Sequence, residues 1–97
     1  MASTQEYLYY VLDLLRKVNA ITYKKMMGEY IMYKEGIIFG GIYDDRFLVK
    51  KTKSLLDKNF IEQIPYPGGS AMYLVESEDA DEIKEIVETV FLDLKNK

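Results

Sequence analysis

The 97-residue chain contains no cysteine, no histidine and no tryptophan, and only two prolines. Without cysteine there is no disulfide framework, no thiolate metal centre and no thiol nucleophile. Without histidine the commonest metal ligand, and the side chain that titrates nearest neutrality, is missing as well. These absences remove most enzyme chemistry, and no catalytic constellation of other residue types stands out. A non-enzymatic role with no cofactor and no metal is the expectation. No run approaches the ~18 apolar residues of a membrane span. The opening "MASTQEYLYYVLDLLRK" lacks the charged leader, apolar run and cleavage site of a secretory signal. A cytoplasmic location is expected accordingly.

What the chain does have is an apolar fraction of 48%, enough for a globular core, and a length suited to one compact domain spanning residues 1–97. The net charge is −3, with +3 carried by residues 1–60 and −6 by residues 61–97. This asymmetry fits a dipolar surface, or simply an acidic terminal helix beside an ordinary surface.

Ser3 stands three residues before Glu6, the spacing of a capping box, so a helix is expected to start there. Leu8, Val11, Leu12, Leu15 and Val18 then share one face, widened by Tyr7, Tyr10 and Leu14. From Ile21 to Lys50 the pattern becomes extended. Tyr30–Tyr33, Ile37–Tyr43 and Phe47–Lys50 read as three strands joined by tight turns at "KEG" and "DDR". Thr52 or Ser54 is placed to cap a short helix through "SLLDKNF", and "PYPGGS" must be a loop. "AMYLVES" reads as a further strand. Ser77 and Asp79 then offer caps to a final helix with a stripe of Ile83, Ile86, Val87, Val90 and Leu94, leaving Leu92 on its polar face. The order α-β-β-β-α-β(-β)-α predicts an α+β two-layer sandwich, an antiparallel sheet with the N- and C-terminal helices on one face.

Four of the six glycines, Gly28, Gly36, Gly40 and Gly41, lie within "MMGEYIMYKEGIIFGG". The spacing fits neither a dinucleotide fingerprint nor a P-loop, and strand rather than helix follows the glycines, which disfavours a phosphate cradle. Gly36 fits a two-residue hairpin. Gly40 and Gly41 fit a bulge or a close approach of an overlying helix. Asp44–Asp45 and the acidic cluster from Glu76 to Glu82 lack the alternating oxygen ligands of a calcium loop and are better read as turn and cap residues.

The basic residues are the most informative polar feature. Residues 46–58 carry +4 through Arg46, Lys50, Lys51, Lys53 and Lys58 against Asp57, and Arg16, Lys17, Lys24 and Lys25 add another +4. Arg46, Lys50, Lys51 and Lys53 are therefore the candidate surface for an acidic partner protein or for nucleic acid. No helix-turn-helix, zinc finger or RNP-type motif accompanies them.

The stretch "KKMMGEYIMYKEGIIFGGIYDDRFLVKK" resembles the core of the TfoX N-terminal, or Sxy, domain family. Its pattern is a methionine before glycine, an aromatic strand, a hairpin glycine, an apolar strand, and an extended segment ending in lysine. "YPGGSAMYLVESED" is similar to that family's second half, so the likeness covers about residues 20–95. It implies a secretion-chaperone-like α+β fold and a regulator of competence that works beside a transcription activator. The C-terminal domain of the full-length regulators has no counterpart in this chain, and the family supplies no catalytic residue. The leading expectation is a protein-interaction domain regulating transcription or DNA uptake through a protein partner such as a transcription factor. Direct nucleic-acid binding and a small-ligand or enzymatic site between helices and sheet are the alternatives. The broad apolar face of the first helix also leaves open a homodimer.

Overall fold

In the computed structural model, which describes residues 2–97, the first helix is capped by Thr4 rather than by Ser3. The Thr4 hydroxyl accepts from the Tyr7 amide at 3.1 Å, and α1 runs Gln5–Leu14. Ser3 has a different task. Its backbone N–H and its hydroxyl both donate to Glu29 Oε1, at 2.8 and 2.6 Å, and the hydroxyl accepts from the Asp45 amide at 3.0 Å. The residue that looked like a cap ties the N-terminal segment to the sheet instead.

The sheet has six strands: β1 (Ile21–Met26), β2 (Glu29–Lys34), β3 (Ile37–Ile42), β4 (Phe47–Val49), β5 (Glu62–Gln63) and β6 (Met72–Leu74). All pairings are antiparallel, in the spatial order β1-β2-β3-β4-β6-β5. β1 is one strand more than the periodicity suggested. Its residues are exposed apart from a half-buried Ile21, so it lacks the alternation that marks a half-buried strand. Three hairpins turn on paired positive-φ residues, Met27–Gly28, Glu35–Gly36 and Asp44–Asp45, as the twist of two-residue hairpins demands.

Register passes from Tyr33 opposite Ile38 to Met32 opposite Gly40, leaving Phe39 as the extra residue of a bulge. Phe39 is thereby turned into the core, where it is fully buried. Gly40 is required by its neighbour strand, not by a helix: a Cβ there would collide with the Leu48 carbonyl oxygen and come within 2.9 Å of Val49 Cα.

After β4 the expected short helix is a single 3₁₀ turn, Lys53–Leu55. Thr52 precedes it without giving a side-chain cap. Asp93, from the final helix, accepts from the Ser54 amide at 2.9 Å and the Ser54 hydroxyl at 2.7 Å. That helix, α2, runs Ala80–Lys95 and is capped by Asp79, whose side chain accepts from the Asp81 amide.

One apolar cluster joins both helices to a single face of the sheet. Leu8 and Val11 of α1, Ile83, Val87 and Val90 of α2, and Met32, Phe39, Ile42, Phe47 and Val49 of the strands all belong to it. The architecture is the expected α+β arrangement of helices on an antiparallel sheet. Removing a large side chain from such a core costs about 2–5 kcal/mol. Lys34 is the exception on this face: it is buried, its ammonium donates to the Asn19 carbonyl at 3.1 Å, and it lies 5.1 Å from the Phe91 ring centroid. A lysine can occupy such a place because its stem packs while its head finds oxygen and an aromatic face. No helix among the described residues is long and apolar enough to cross a membrane.

Candidate interaction face

Residues opposite one another in an antiparallel pair share a face of the sheet. Met32 and Tyr30 point into the core, so the alternate residues Ile31 and Tyr33 point away from the helices. Their partners go with them: Lys24 and Gly41 beside Ile31, Thr22 and Ile38 beside Tyr33, then Leu48 beside Gly41 and Leu74 beside Leu48. The sheet therefore has a second apolar face, on the side away from both helices.

Part of this outer face is covered by the loop of residues 64–71. Leu48 and Tyr43 are buried yet stand outside the core cluster between helices and sheet. Tyr43 and Arg46 close the β3–β4 hairpin by exchanging backbone hydrogen bonds at 2.9 and 3.0 Å. The Tyr43 ring runs back over Gly41, where a Cβ would come within 2.8 Å of the ring edge and hydroxyl. Tyr66 of the loop lies against it, with ring centroids 6.0 Å apart. Burial first, then proximity to Tyr66 and Glu29, pushes the Tyr43 phenol above its ordinary pKa.

Arg46 holds the loop in place. Its Nε donates to the Tyr43 carbonyl at 3.0 Å and its Nη1 to Gln63 Oε1 at 2.7 Å. Its Nη2 donates to the carbonyls of Ile64 and Pro65, both at 3.3 Å. This cation is spent on intramolecular bonds. The planar guanidinium ties the β3–β4 hairpin to residues 63–65 through a fixed fork of donors that an ammonium lacks.

The other three basic candidates divide between two places. Lys50 and Lys51 border a groove on the outer face, between the loop and the Ile38–Gly40 stretch. Lys51 and Lys53 border a second groove beside the last turns of α2, together with Leu92, Asp93 and Asn96. Lys51 is ion-paired with Glu62 at 3.1 Å, and among the described residues Lys50 has no ion-pair partner. Of the earlier basic group, Arg16 is paired with Asp13 and Lys17 with Asp81. Lys24 lies on the outer face, whereas Lys25, opposite Tyr30, lies on the helix side. What the fold assembles on one face is thus Lys24 and Lys50, rather than all the basic residues.

Met26 and Ile38 on the outer face, and Ile64 and Tyr66 in the loop that covers part of it, leave 46, 36, 50 and 57% of their surface in solvent. Among the described residues no group of three or more acidic side chains is arranged to hold a metal ion. The sequence pointed to the basic segment but missed the apolar outer face. The available clue was the stretch from Ile37 to Tyr43, apolar on both alternations, which a sheet covered on one side only does not require.

Comparison with known protein families finds no match, and comparison with curated protein sequences finds none either.

Proposed function

We propose that this chain is a non-enzymatic interaction domain whose partner protein docks on the outer face of the sheet. The observation that carries this reading is the set of exposed apolar side chains on the side of the sheet that neither helix covers: Met26 and Ile38 of the strands and Tyr66 of the loop packed on them. Exposed apolar side chains gathered on one side of a domain mark interaction surfaces. Lys24 and Lys50 on that face favour a partner that presents an apolar patch with acidic groups at its rim. The resemblance of residues 20–95 to the TfoX/Sxy N-terminal domain supports a regulatory partner, such as a transcription factor, in transcription or DNA uptake.

The reading is tested by affinity capture from the native cell with the wild-type chain and with a Lys24→Glu/Ile38→Glu/Lys50→Glu variant in parallel. A protein retained by the first and lost by the second supports docking on this face. A partner held equally by both places the contact elsewhere. Capture of nucleic acid that falls steeply with added salt would instead favour direct phosphate binding.

A further inference from the structure

The groove under the 64–71 loop has a volume of about 350 Å³, within the range of ~300–1,000 Å³ that small-molecule sites occupy. Ile38, Tyr43, Tyr66, Lys50 and Lys51 are among the residues that line it. The two lysines are not equivalent. The Lys51 ammonium is engaged by Glu62, while that of Lys50, on a half-buried residue, has neither a hydrogen bond nor an ion pair among the described residues. The Tyr43 phenol, held above its ordinary pKa by burial, stays neutral near pH 7 and adds no negative charge. The other grooves lack this combination. The one between the 3₁₀ turn and α2 sets Glu82 and Glu85 against Lys58, and the one bordered by Lys53 contains Asp93.

We propose that the outer-face groove binds a small planar aromatic anion, such as an aryl carboxylate, with its ring against Tyr66 and Ile38 and its charge at Lys50. Ile38 and the exposed Tyr66 ring supply contact area for a flat body. Lys50 supplies the counter-charge in a site partly screened from water, where an ion pair is stronger than in bulk. Neutral aromatics keep only the first contribution, and aromatic cations meet a like charge. The groove shares Ile38, Tyr66 and Lys50 with the proposed docking face, but a free ligand needs no partner to fill it, so the two proposals are tested separately.

The test is a titration of the ¹⁵N-labelled chain with 2-naphthoate, 2-naphthylmethanol and 2-naphthylmethylammonium, followed by amide shifts. Saturable shifts centred on Ile38, Gly40, Lys50, Tyr66 and Met72 are expected with naphthoate. The alcohol should bind about tenfold more weakly, equivalent to loss of one favourable charge contact, and the ammonium more weakly still. Lys50→Met should reduce naphthoate affinity to that of the alcohol while leaving the alcohol unchanged. Absence of saturable shifts with naphthoate overturns the proposal, as does equal affinity for the three probes or a Lys50→Met variant that binds naphthoate like the wild type. If that variant does not fold, the ranking of the three probes on the wild-type chain decides alone. Partner capture is untouched by any of these results, so failure here leaves the docking proposal to its own test.

Discussion

Replacing Arg46 with alanine removes four hydrogen bonds, one within the β3–β4 hairpin and three that connect the hairpin to residues 63–65. Two are short, to the Tyr43 carbonyl at 3.0 Å and to Gln63 Oε1 at 2.7 Å, and two are long, to Ile64 and Pro65 at 3.3 Å. A hydrogen bond to a charged group contributes about 1.5–3 kcal/mol net. Arg46 is half-buried, so water competes for part of this, and the long pair adds little. The expected loss is about 2–3 kcal/mol, a fall in Tm of about 10–20 °C for a domain of this size. Arg46→Lys keeps the charge but not the fork, and should recover less than half of the loss. Urea unfolding of both variants measures the stability, and hydrogen exchange of the Gly69 amide, which donates to the Tyr66 carbonyl within the loop, measures whether the loop has loosened. If both variants lie within about 0.5 kcal/mol of the wild type and Gly69 exchange is unchanged, Arg46 is not a clip and its cation is free for a partner.

Three further outcomes follow from the contacts around the sheet. Gly40→Ala places a Cβ against the backbone of β4 at Leu48 and Val49, where no side chain can yield; a loss of about 2–4 kcal/mol is expected in chemical denaturation. Ser3→Ala removes the hydroxyl that donates to Glu29 and accepts from the Asp45 amide, and should cost about 1–2 kcal/mol, read in the same assay. Asp93 is held below the ordinary aspartate range, chiefly by the Ser54 hydroxyl and then by the Ser54 amide. A folded pKa lowered in this way contributes stability that is full above the unfolded value, about 3.9, and is lost as pH falls through the folded value. Urea midpoints should therefore show Ser54→Ala less stable than the wild type near pH 6, with the gap closing as the pH drops below 3.9.

The two helices and the central strands were legible because their apolar residues are periodic. Ile83, Ile86, Val87 and Val90 recur at helical spacing, and all four are buried. The hairpin at Glu35–Gly36 was legible through its glycine, which has φ 81°. β1 was hidden because an edge strand needs little burial, and its lysines, which blunt a free edge, read as surface charge. The bulge at Phe39 defeats strict alternation, since one extra residue shifts the pattern of the strand that contains it. Ser3 and Arg46 were misjudged for a shared reason. Their partners, Glu29 and Asp45 for one and Gln63 to Pro65 for the other, lie 17 to 42 residues away in sequence, beyond what local spacing reveals. The basic segment around Lys50 stood out by composition. Which of its members share a face depends on the register of β2, β3 and β4, and that is a property of the folded sheet.

The proposed docking surface is the outer face of the sheet, away from both helices. The most direct test compares three chains in parallel affinity capture: the wild type, the Lys24→Glu/Ile38→Glu/Lys50→Glu variant, and a Leu92→Gln variant altered on the exposed side of α2. Leu92 leaves 52% of its surface in solvent, so its replacement probes the exposed side of α2 at little cost in stability. The predicted result is a partner kept by the wild type and by Leu92→Gln and lost by the triple variant. A partner lost by Leu92→Gln and kept by the triple variant would contradict the assignment and move the interaction to the helical side.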